Sequence, residues 1–406
     1  QDKRWGTFYS ASAAWRLDQE DFIKELTFID NLKLRSSWGQ TGNDGGISNY
    51  AWQPLYALGW NNATEPGILQ SSLGSKSLEW ETNTSFDVAL EFGLFKNRIS
   101  GTVEYFDRQS TNLIFAVPLP LSVGIQTETR NIGSMYNRGI ELQLSADLVR
   151  TKDFTWNVDL NATKLENKIT KMPAESKEII DGTKKLKEGS SLYDYWLREY
   201  KGVNPETGVA EYRAISYVAS NSRITANGDT LTNNIANARY WYNGTSIPDL
   251  TGSVNTSLRY KGFSLSALMV YQLGGKIYDA AYAGLMGAGY HNAKHVDILK
   301  RWVNPGDITD VPRMDNGRTA DFDAASDRWL IDGSFLNIRT VTLSYRLPKN
   351  LLSRLKIDNA QVYVSGENFL MLSRRSGMNV QQNFGGTTSN VYSPAKSLVL
   401  GLSFSL

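Results

Sequence analysis

The sequence of 406 residues contains no cysteine. This absence excludes disulfide bonds, thiolate zinc sites and cysteine nucleophiles together. It also suits a protein that crosses an oxidising periplasm, because there are no thiols to mispair there.

Long apolar runs are missing as well. The longest nearly apolar stretches, residues 113–125 with two prolines and residues 280–290, are shorter than the roughly 18 residues that a membrane-spanning helix needs. The first residues show no basic segment followed by an apolar one, so no signal peptide is visible. We expect that it has been removed or that the chain begins in the middle of a longer protein.

An excess of charge of one sign is also lacking. Lys and Arg total 43 against 41 Asp and Glu, which gives a formal net charge of +2. Sequence-independent binding to nucleic acid requires a clear basic surplus. DNA and RNA are therefore not expected partners.

Aromatic and turn-forming residues are abundant, with 20 Tyr, 15 Phe, 11 Trp and 34 Gly. This composition favours extended, turn-rich chain over helix. Apolar residues recur with a period of two, the pattern of a strand with one apolar face. Between residues 138 and 148 one face would carry Ile140, Leu142, Leu144, Ala146 and Leu148. After residues 149–153 the same pattern returns with Phe154, Trp156, Val158, Leu160 and Ala162, so the two segments predict a hairpin.

About eleven segments follow this rule, and most are near the ~10 residues of a tilted membrane strand. They are residues 7–17, 32–42, 78–92, 98–110, 138–149, 154–166, 250–260, 262–273, 334–347, 360–370 and 396–405. In 334–347 the alternation changes phase, which predicts a β-bulge near Arg339.

The connections alternate between short and long. The long ones are residues 43–77, 111–137, 167–249, 274–333 and 371–395. Short turns at one end and long loops at the other are typical of an outer-membrane β-barrel, whose long loops are extracellular. The loop 167–249 could contain one further hairpin at 192–216. If the last strand runs towards the periplasm, eleven strands place the first residues outside, which predicts upstream sequence.

Several stretches resemble the SusC/RagA family in order and spacing. They are Arg4-Trp5-Gly6 with Ser12-Ala13-Ala14-Trp15-Arg16, residues 34–43 (LRSSWGQTGN), 78–81 (LEWE), 131–135 (NIGSM) with 137–141 (NRGIE), 202–208 (GVNPETG), Trp302 with Pro305-Gly306-Asp307, 340–345 (TVTLSY) and 366–368 (GEN). Together they span nearly the whole chain.

The resemblance implies an all-β fold, in which residues 1–406 are the C-terminal portion of a transmembrane antiparallel barrel of about twenty-two strands. It implies an N-terminal plug and a TonB box upstream of Gln1. It further implies a non-enzymatic importer in the outer membrane of a Gram-negative bacterium, in contact with lipid and TonB, and capped by a SusD-like surface lipoprotein. A dimer of transporter–lipoprotein pairs is compatible with it. The expected substrates are glycans or peptides too large for porins.

No catalytic or metal-binding constellation is found, and no cofactor is expected. His291 and His295, four residues apart, could share a helix face in a metal-like arrangement, but an amphipathic helix over 291–302 is the simpler interpretation. Asp307 and Asp310 match no EF-hand, so an Asx-capped turn is favoured over calcium. The pairs Glu79/Glu81 and Asp321/Asp323 are expected by chance in a chain with 41 acids.

Aromatic residues in the long loops are the better candidates for substrate contact, because rings stack on sugar faces and peptide side chains. They are Trp60, Tyr195, Trp196, Tyr240, Trp241, Tyr242 and Tyr290. Packing between loops is the alternative role for them. A second aromatic set lies near strand ends and is predicted to form an interfacial girdle: Trp15, Trp38, Tyr105, Trp156, Tyr260 and Tyr345.

Two other functions stay open at this point. One is a barrel enzyme of the outer membrane, which would need a His, Ser or acidic constellation at its outer rim. The other is a surface glycan-binding protein or adhesin, in which all apolar strand faces would meet in one core. The one-sided placement of the long loops argues against such a core.

Overall fold

The structure is a computed structural model that describes residues 5–45, 47–75, 77–174, 176–290, 292–352, 357–375, 378–381, 385–388 and 393–405, with Pro118 described by its backbone alone. His291, one of the two histidines considered above, lies outside these residues.

One large antiparallel sheet, the main sheet, dominates the described residues. Its eleven strands follow each other in chain order. They are Ser10–Arg16, Ile29–Asn43, Glu81–Leu94, Ile99–Thr111, Ser134–Arg150, Phe154–Lys171, Leu250–Tyr260, Phe263–Leu273, Phe335–Arg346, Asn359–Ser373 and Ser397–Ser405.

Each of the eleven predicted segments overlaps one of these strands, so the strand prediction is confirmed. Several strands continue further than predicted at the end where the long loops begin. Phe154–Lys171, for example, extends beyond residue 166. The apolar alternation ends earlier, because Lys164 follows Ala162 on the same face. The backbone pairing with the neighbouring strand continues beyond the residues in which the apolar alternation is visible.

The two faces of the main sheet differ in polarity, as strand register shows. Leu160 pairs with both Leu144 and Val254 on one face. On the other face Asp159 accepts hydrogen bonds from Ser145 Oγ (2.7 Å) and Asn255 Nδ2 (3.2 Å). Since successive side chains point to opposite faces, the sheet has an apolar face and a hydrogen-bonded polar face.

The phase change in Phe335–Arg346 is a β-bulge at Arg339. Ile338 pairs with Met269 and Thr340 with Leu268, so Arg339 has no partner on that strand. The register with the following strand shifts at the same place. The bulge prediction is confirmed, and the extra residue keeps Ile338 on the apolar face together with Val341.

The residues of the predicted girdle lie on the apolar face. Trp156 pairs with Leu258, and Trp15 with Leu34. Tyr260 and Tyr345 both pair with Phe263, whose ring centroid lies 4.4 Å from that of Tyr345. Trp38 and Tyr105 pair with apolar neighbours on this face, Phe86 and Ile140. A role at the membrane interface stays a prediction.

The connections between main-sheet strands are short at one end and long at the other. Because the strands alternate in direction and neighbours follow in chain order, every second connection leaves from the same end. The connections at the long end are residues 44–80, 112–133, 172–249, 274–334 and 374–396. At the opposite end the chain turns within residues 95–98, 151–153 and 261–262, or crosses 17–28 and 347–358.

The long loops contain small sheets of their own. A four-stranded sheet, here named the platform sheet, consists of Glu178–Asp181, Lys184–Lys187, Asp194–Arg198 and Tyr240–Thr245. A second four-stranded sheet consists of Tyr200–Val203, Ala210–Arg213, Thr230–Thr232 and Ser222–Ile224. Two-stranded sheets pair Leu55–Leu58 with Ile68–Ser72, Ile114–Pro118 with Thr127–Asn131, and Lys276–Tyr278 with Leu330–Asp332.

Helices in the described residues are short, and none is long and apolar enough to cross a membrane. The α-helices are Asp21–Lys24, Ala280–Leu285, Thr319–Phe322 and Lys349–Leu352. The 3₁₀ helices are Leu17–Gln19, Leu121–Val123, Ile235–Asn237, Val296–Lys300 and Asp327–Trp329.

Two loop predictions differ in part from the structure. The possible hairpin at 192–216 exists as the antiparallel pair Tyr200–Val203 and Ala210–Arg213, but it belongs to a small loop sheet and adds no strands to the main sheet, and Asp194–Arg198 pairs with the distant Tyr240–Thr245. The amphipathic helix over 291–302 is replaced by the 3₁₀ helix Val296–Lys300. His295 caps that helix by accepting a hydrogen bond from Asp297 N, which fixes its start late in the segment.

Candidate substrate-binding face

The platform sheet has two different faces, set by its strand register. Trp196 pairs with Tyr242, Leu197 with Trp241, and Arg198 with Tyr240. Paired residues share a face and neighbours along a strand alternate. One face therefore carries Trp196, Arg198, Tyr240 and Tyr242, and we call it the ring face.

On the ring face three aromatic side chains lie together. The Trp196 ring centroid is 4.8 Å from that of Tyr242 in an edge contact. It is 6.2 Å from that of Tyr240, with the two planes only 18° apart. Tyr240 is 37% and Tyr242 36% exposed. The rings thus form a partly open surface against which an apolar or flat group can stack.

Two cations rest on these rings. Lys185 Nζ lies 4.2 Å from the Trp196 ring centroid, and Arg198 Cζ lies 4.5 Å from that of Tyr240. Such contacts stabilise the cation by roughly 0.5–1 kcal/mol at exposed sites. They also hold the charges beside the rings. The sequence analysis did not identify Lys185 or Arg198 as candidates. Strand alternation within 184–187 and 194–198 could have indicated that they share a face with Trp196.

Around Tyr195 and Leu197 the opposite face of the platform sheet is buried in the loops. Leu197 is 1% and Tyr195 0% exposed, packed with Tyr278 and Trp329. The Tyr195 hydroxyl donates to the carbonyls of Lys276 (3.0 Å) and Gly386 (2.7 Å). Tyr195 therefore joins separate loops and offers no surface to a solute, so we remove it from the candidates.

Trp241 is separated from its two tyrosine neighbours by strand alternation. It lies on the Leu197 side of the sheet, is 41% exposed, and makes a side-chain hydrogen bond to Asp327. Burial raises the pKa of Asp327 above its usual range, whereas hydrogen bonds from Tyr200 N and the Trp241 side chain oppose that rise. The candidates Tyr240, Trp241 and Tyr242 are thus not one cluster.

Trp60 and Tyr290 are exposed, at 63% and 59%. Trp60 lies between the strands Leu55–Leu58 and Ile68–Ser72. The Tyr290 hydroxyl donates to the Met314 carbonyl (3.1 Å). Neither ring contacts another aromatic ring in the part of the chain that the structure describes. Trp196, Tyr240 and Tyr242 are the candidates that the fold brings together.

The acidic candidates have structural partners. Asp307 Oδ2 accepts hydrogen bonds from the backbone of Val303 (2.9 Å) and Asn304 (2.8 Å), the capped turn that the sequence favoured. These bonds lower the pKa of Asp307. Asp323 accepts from Ala288 N with both oxygens. Among the described residues there is no group of three or more His, Asp and Glu side chains that could hold a metal ion.

A large antiparallel sheet whose strands have one apolar face, with short turns at one end and long loops at the other, is typical of an outer-membrane β-barrel. Residues 1–369 match the family described as "TonB dependent receptor-like, beta-barrel". The chain belongs to this family of outer-membrane proteins, as the resemblance implied.

Curated relatives agree with this assignment. The chain is 28% identical over 403 residues to TonB-dependent receptor P3 of Formosa agariphila, covering 95% of this chain and 39% of that protein. It is 26% identical over 424 residues to the TonB-dependent receptor SusC of Bacteroides thetaiotaomicron, covering 99% of this chain and 40% of that protein. The chain thus spans about two fifths of the length of these relatives.

Solved structures show the same fold. The RagAB peptide transporter superposes with a TM-score of 0.86 at 26% identity, covering 100% of this chain and 44% of that chain. The RagAB peptide importer in the 'open-open' state gives 0.81 at 25% identity, covering 98% and 42%. The relatives are receptors and transporters rather than enzymes.

Proposed function

We propose that the full protein imports oligosaccharides or peptides across the outer membrane, energised through TonB and paired with a SusD-like surface lipoprotein. The ring face carries this proposal. An importer must hold its substrate on the extracellular side before the substrate crosses, and the loops at the long end of the main sheet are where such contacts belong. Desolvated aromatic rings supply most of the binding energy at hot spots.

Membership of the family supports the energy coupling and the partner. One similar structure is the RagAB peptide transporter, and one similar protein is SusC. The segments that would contact TonB and gate the pore are expected upstream of this chain. The chain itself contributes barrel wall and extracellular loops.

Uptake in cells tests the proposal. Cells whose sole transporter of this type is the full-length protein would be offered radiolabelled casein peptides or a radiolabelled mixture of plant-polysaccharide oligosaccharides. We expect uptake of one mixture to require TonB and the lipoprotein. Uptake that persists without TonB, or no uptake of either mixture, would contradict the proposal.

Substitutions localise the contact. Replacing Tyr240 and Tyr242 with Ala should weaken substrate binding by roughly 1–4 kcal/mol, the range for aromatic anchors at a hot spot. Leu58→Ala in another loop, where the side chain is 82% exposed, is the matched control. Normal substrate binding with loss of the lipoprotein would instead make the ring face a docking surface for the lipoprotein.

A further inference from the structure

Some positively charged side chains on the ring face form ion pairs with a carboxylate in the described structure, and one of them does not. Lys185 lies 2.7 Å and Lys187 3.5 Å from the same carboxylate, Glu178. By the register of the sheet, all three belong to the face that carries Trp196. Arg198, on the same face, has no carboxylate within ion-pair distance among the described residues. By alternation along Asp194–Arg198, Asp194 also lies on this face, so the ring face carries three cations and two anions.

Nearby arginines on other surfaces are different. Arg239 pairs with Glu199, whose side chain is only 6% exposed. Arg223 pairs with Glu211 through two hydrogen bonds of 2.6 Å. Arg198 instead donates from Nε to the Ile235 carbonyl at 3.4 Å, which leaves most of its guanidinium donors unused in the described structure.

A further cation borders the platform sheet. Lys276 Nζ donates to the Asn243 carbonyl (2.6 Å), and the Lys276 side chain runs past Gly244. Lys276 also has no carboxylate at ion-pair distance within the described ranges. The strand Tyr240–Thr245 therefore lies between two cations that form no ion pair among the described residues, Arg198 near its start and Lys276 near its end, although Asp332 is the cross-strand neighbour of Lys276.

This strand is also the last one in the platform sheet. The strand order places Tyr240–Thr245 beside Asp194–Arg198 on one side, with no strand on the other side among the described residues. A strand at the edge of a sheet offers backbone N–H and C=O groups to another extended chain. Peptides bind to many proteins by adding a strand to such an edge.

We infer that the edge strand Tyr240–Thr245, with the ring face and the cations Arg198 and Lys276, binds an extended acidic peptide. Its backbone would pair with residues 240–242, because Asn243 is only 4% exposed and its carbonyl already accepts from Lys276 Nζ. Its apolar side chains would pack on Tyr240 and Tyr242, and its carboxylates would meet the two cations. The inference deepens the proposed function and rests on it, since it names the substrate class held at the same face.

An acidic oligosaccharide would use only part of this arrangement. Uronate carboxylates could meet Arg198 and Lys276, and sugar rings could stack on the tyrosines. A sugar chain has no regular series of amides to pair with a strand edge. The edge position of Tyr240–Thr245 is the observation that favours a peptide.

Binding of defined decapeptides to the full-length transporter with its lipoprotein tests the inference. The probes are an alternating Ala–Glu decapeptide, its Ala–Gln and Ala–Lys counterparts, an Ala–Glu decapeptide methylated on alternate amides, and hexagalacturonate. We expect Ala–Glu to bind at least about tenfold more tightly than Ala–Gln, since hydrogen bonds to charged groups are the strong ones. The preference should shrink at high salt. Amide methylation should abolish binding.

Charge-removing variants complete the test. Arg198→Gln and Lys276→Gln should each weaken Ala–Glu binding about fivefold to tenfold more than they weaken Ala–Gln binding. Lys300→Gln is the matched control, because Lys300 is 70% exposed and paired with Asp297 in another loop. Both test residues are at the surface of loops, so barrel assembly should persist.

Each contrary outcome has a distinct meaning. Equal binding of Ala–Glu and Ala–Gln, still sensitive to Tyr240 and Tyr242, would overturn the acidic class and leave the proposed function intact. Tighter binding of hexagalacturonate, lost in the same charge variants, would overturn the peptide assignment. Unchanged Ala–Glu binding after amide methylation would overturn pairing at the strand edge. If no probe bound and TonB-dependent uptake were also absent, the proposed function itself would fail.

Discussion

Asp279 and Arg375 come from different long loops and form an ion pair in which Oδ2 and Nε are 2.5 Å apart. The Asp279 side chain is only 2% exposed. Its Oδ1 caps the helix Ala280–Leu285 by accepting from Tyr282 N (3.0 Å), and Arg375 Cζ lies 3.8 Å from the Tyr282 ring centroid. The loop that contains Arg375 is thereby attached to the loop of residues 274–334.

Removing Arg375 should detach these loops locally. Arg375→Met leaves Asp279 as a buried charge without its partner, a change that costs about 3–5 kcal/mol when the pair is fully buried and less here, because the Arg375 side chain is 26% exposed. We expect faster hydrogen exchange in 278–285 with the barrel strands unchanged. Mass spectrometry of the full-length protein measures this.

The adjacent Arg374 provides the control for this prediction, since it is exposed and in the same loop. Arg374→Met should leave exchange in 278–285 as in the unmodified protein. Equal effects of the two substitutions would show that the ion pair does not hold the loops together.

The main sheet was predictable from sequence because its signal is local. The apolar face of a strand such as Phe154–Lys171 contacts one environment along its length. Apolar and polar residues therefore alternate along consecutive positions of the sequence. The bulge at Arg339 was visible for the same reason, as a phase change within one strand. Consecutive strands then pair with each other, which leaves little choice of topology.

The ring face was only partly predictable because its contacts are not local. Trp196 contacts Tyr242 across two paired strands that are distant in sequence. The strands of the second four-stranded sheet lie between them along the chain. Aromatic content marked the loop residues, but not which face each would take. Trp241 and Tyr242 are neighbours in sequence and lie on opposite faces, and the buried position of Tyr195 depends on carbonyls of Lys276 and Gly386.

Arginine substitutions on the two faces of the main sheet test the lipid-facing assignment. Leu144 pairs with Leu160 on the apolar face, and the neighbouring Gln143 pairs with Asn161 on the polar face. If the apolar face contacts lipid, Leu144→Arg should cost roughly 2–4 kcal/mol near the bilayer midplane, and Gln143→Arg much less. A urea titration of the full-length protein in vesicles measures both. Equal costs would exclude contact of only one face with hydrocarbon.

Lys184 should make the stability of the platform sheet depend on pH. Its ammonium donates to the Tyr193 carbonyl (2.7 Å) and lies 3.2 Å from the Tyr195 ring centroid. Burial lowers the pKa of Lys184 from 10.5 to about 7, although Asp194 opposes this. Between these two values the unfolded segment binds more protons than the folded one, so stability rises with pH.

Hydrogen exchange at pH 7 and pH 9, corrected for intrinsic rates, should therefore show greater protection of 184–198 at the higher pH. Lys184→Met should remove this difference. Lys185→Met, which alters the neighbouring lysine on the ring face and keeps Lys184, should retain it. A difference that survives Lys184→Met would assign the pH dependence to another group.

Two of the family-like motifs contact each other in the loops. The Trp302 indole donates to the Pro205 carbonyl (2.7 Å), and Gly306 N donates to the same carbonyl (2.8 Å). The turn itself is closed by Asn204, whose side-chain oxygen accepts from Glu206 N (2.9 Å). The motifs at 202–208 and 302–307 thus form one structural unit that joins two long loops.

Gly208 is the residue on which this unit should depend most. Its φ is +69°, and a Cβ there would lie 2.4 Å from the Trp302 ring. Gly208→Ala should destabilise the unit by about 2–3 kcal/mol, because it combines left-handed strain of roughly 1–2 kcal/mol with loss of the indole hydrogen bond.

Gly228→Ala is the matched control, since its φ is +81° but a Cβ would meet nothing within 4 Å. Hydrogen exchange should show loss of protection in 202–213 and 302–313 for Gly208→Ala and only local strain near residue 228 for the control. Equal responses would mean that backbone strain, and not the contact with Trp302, explains the glycine.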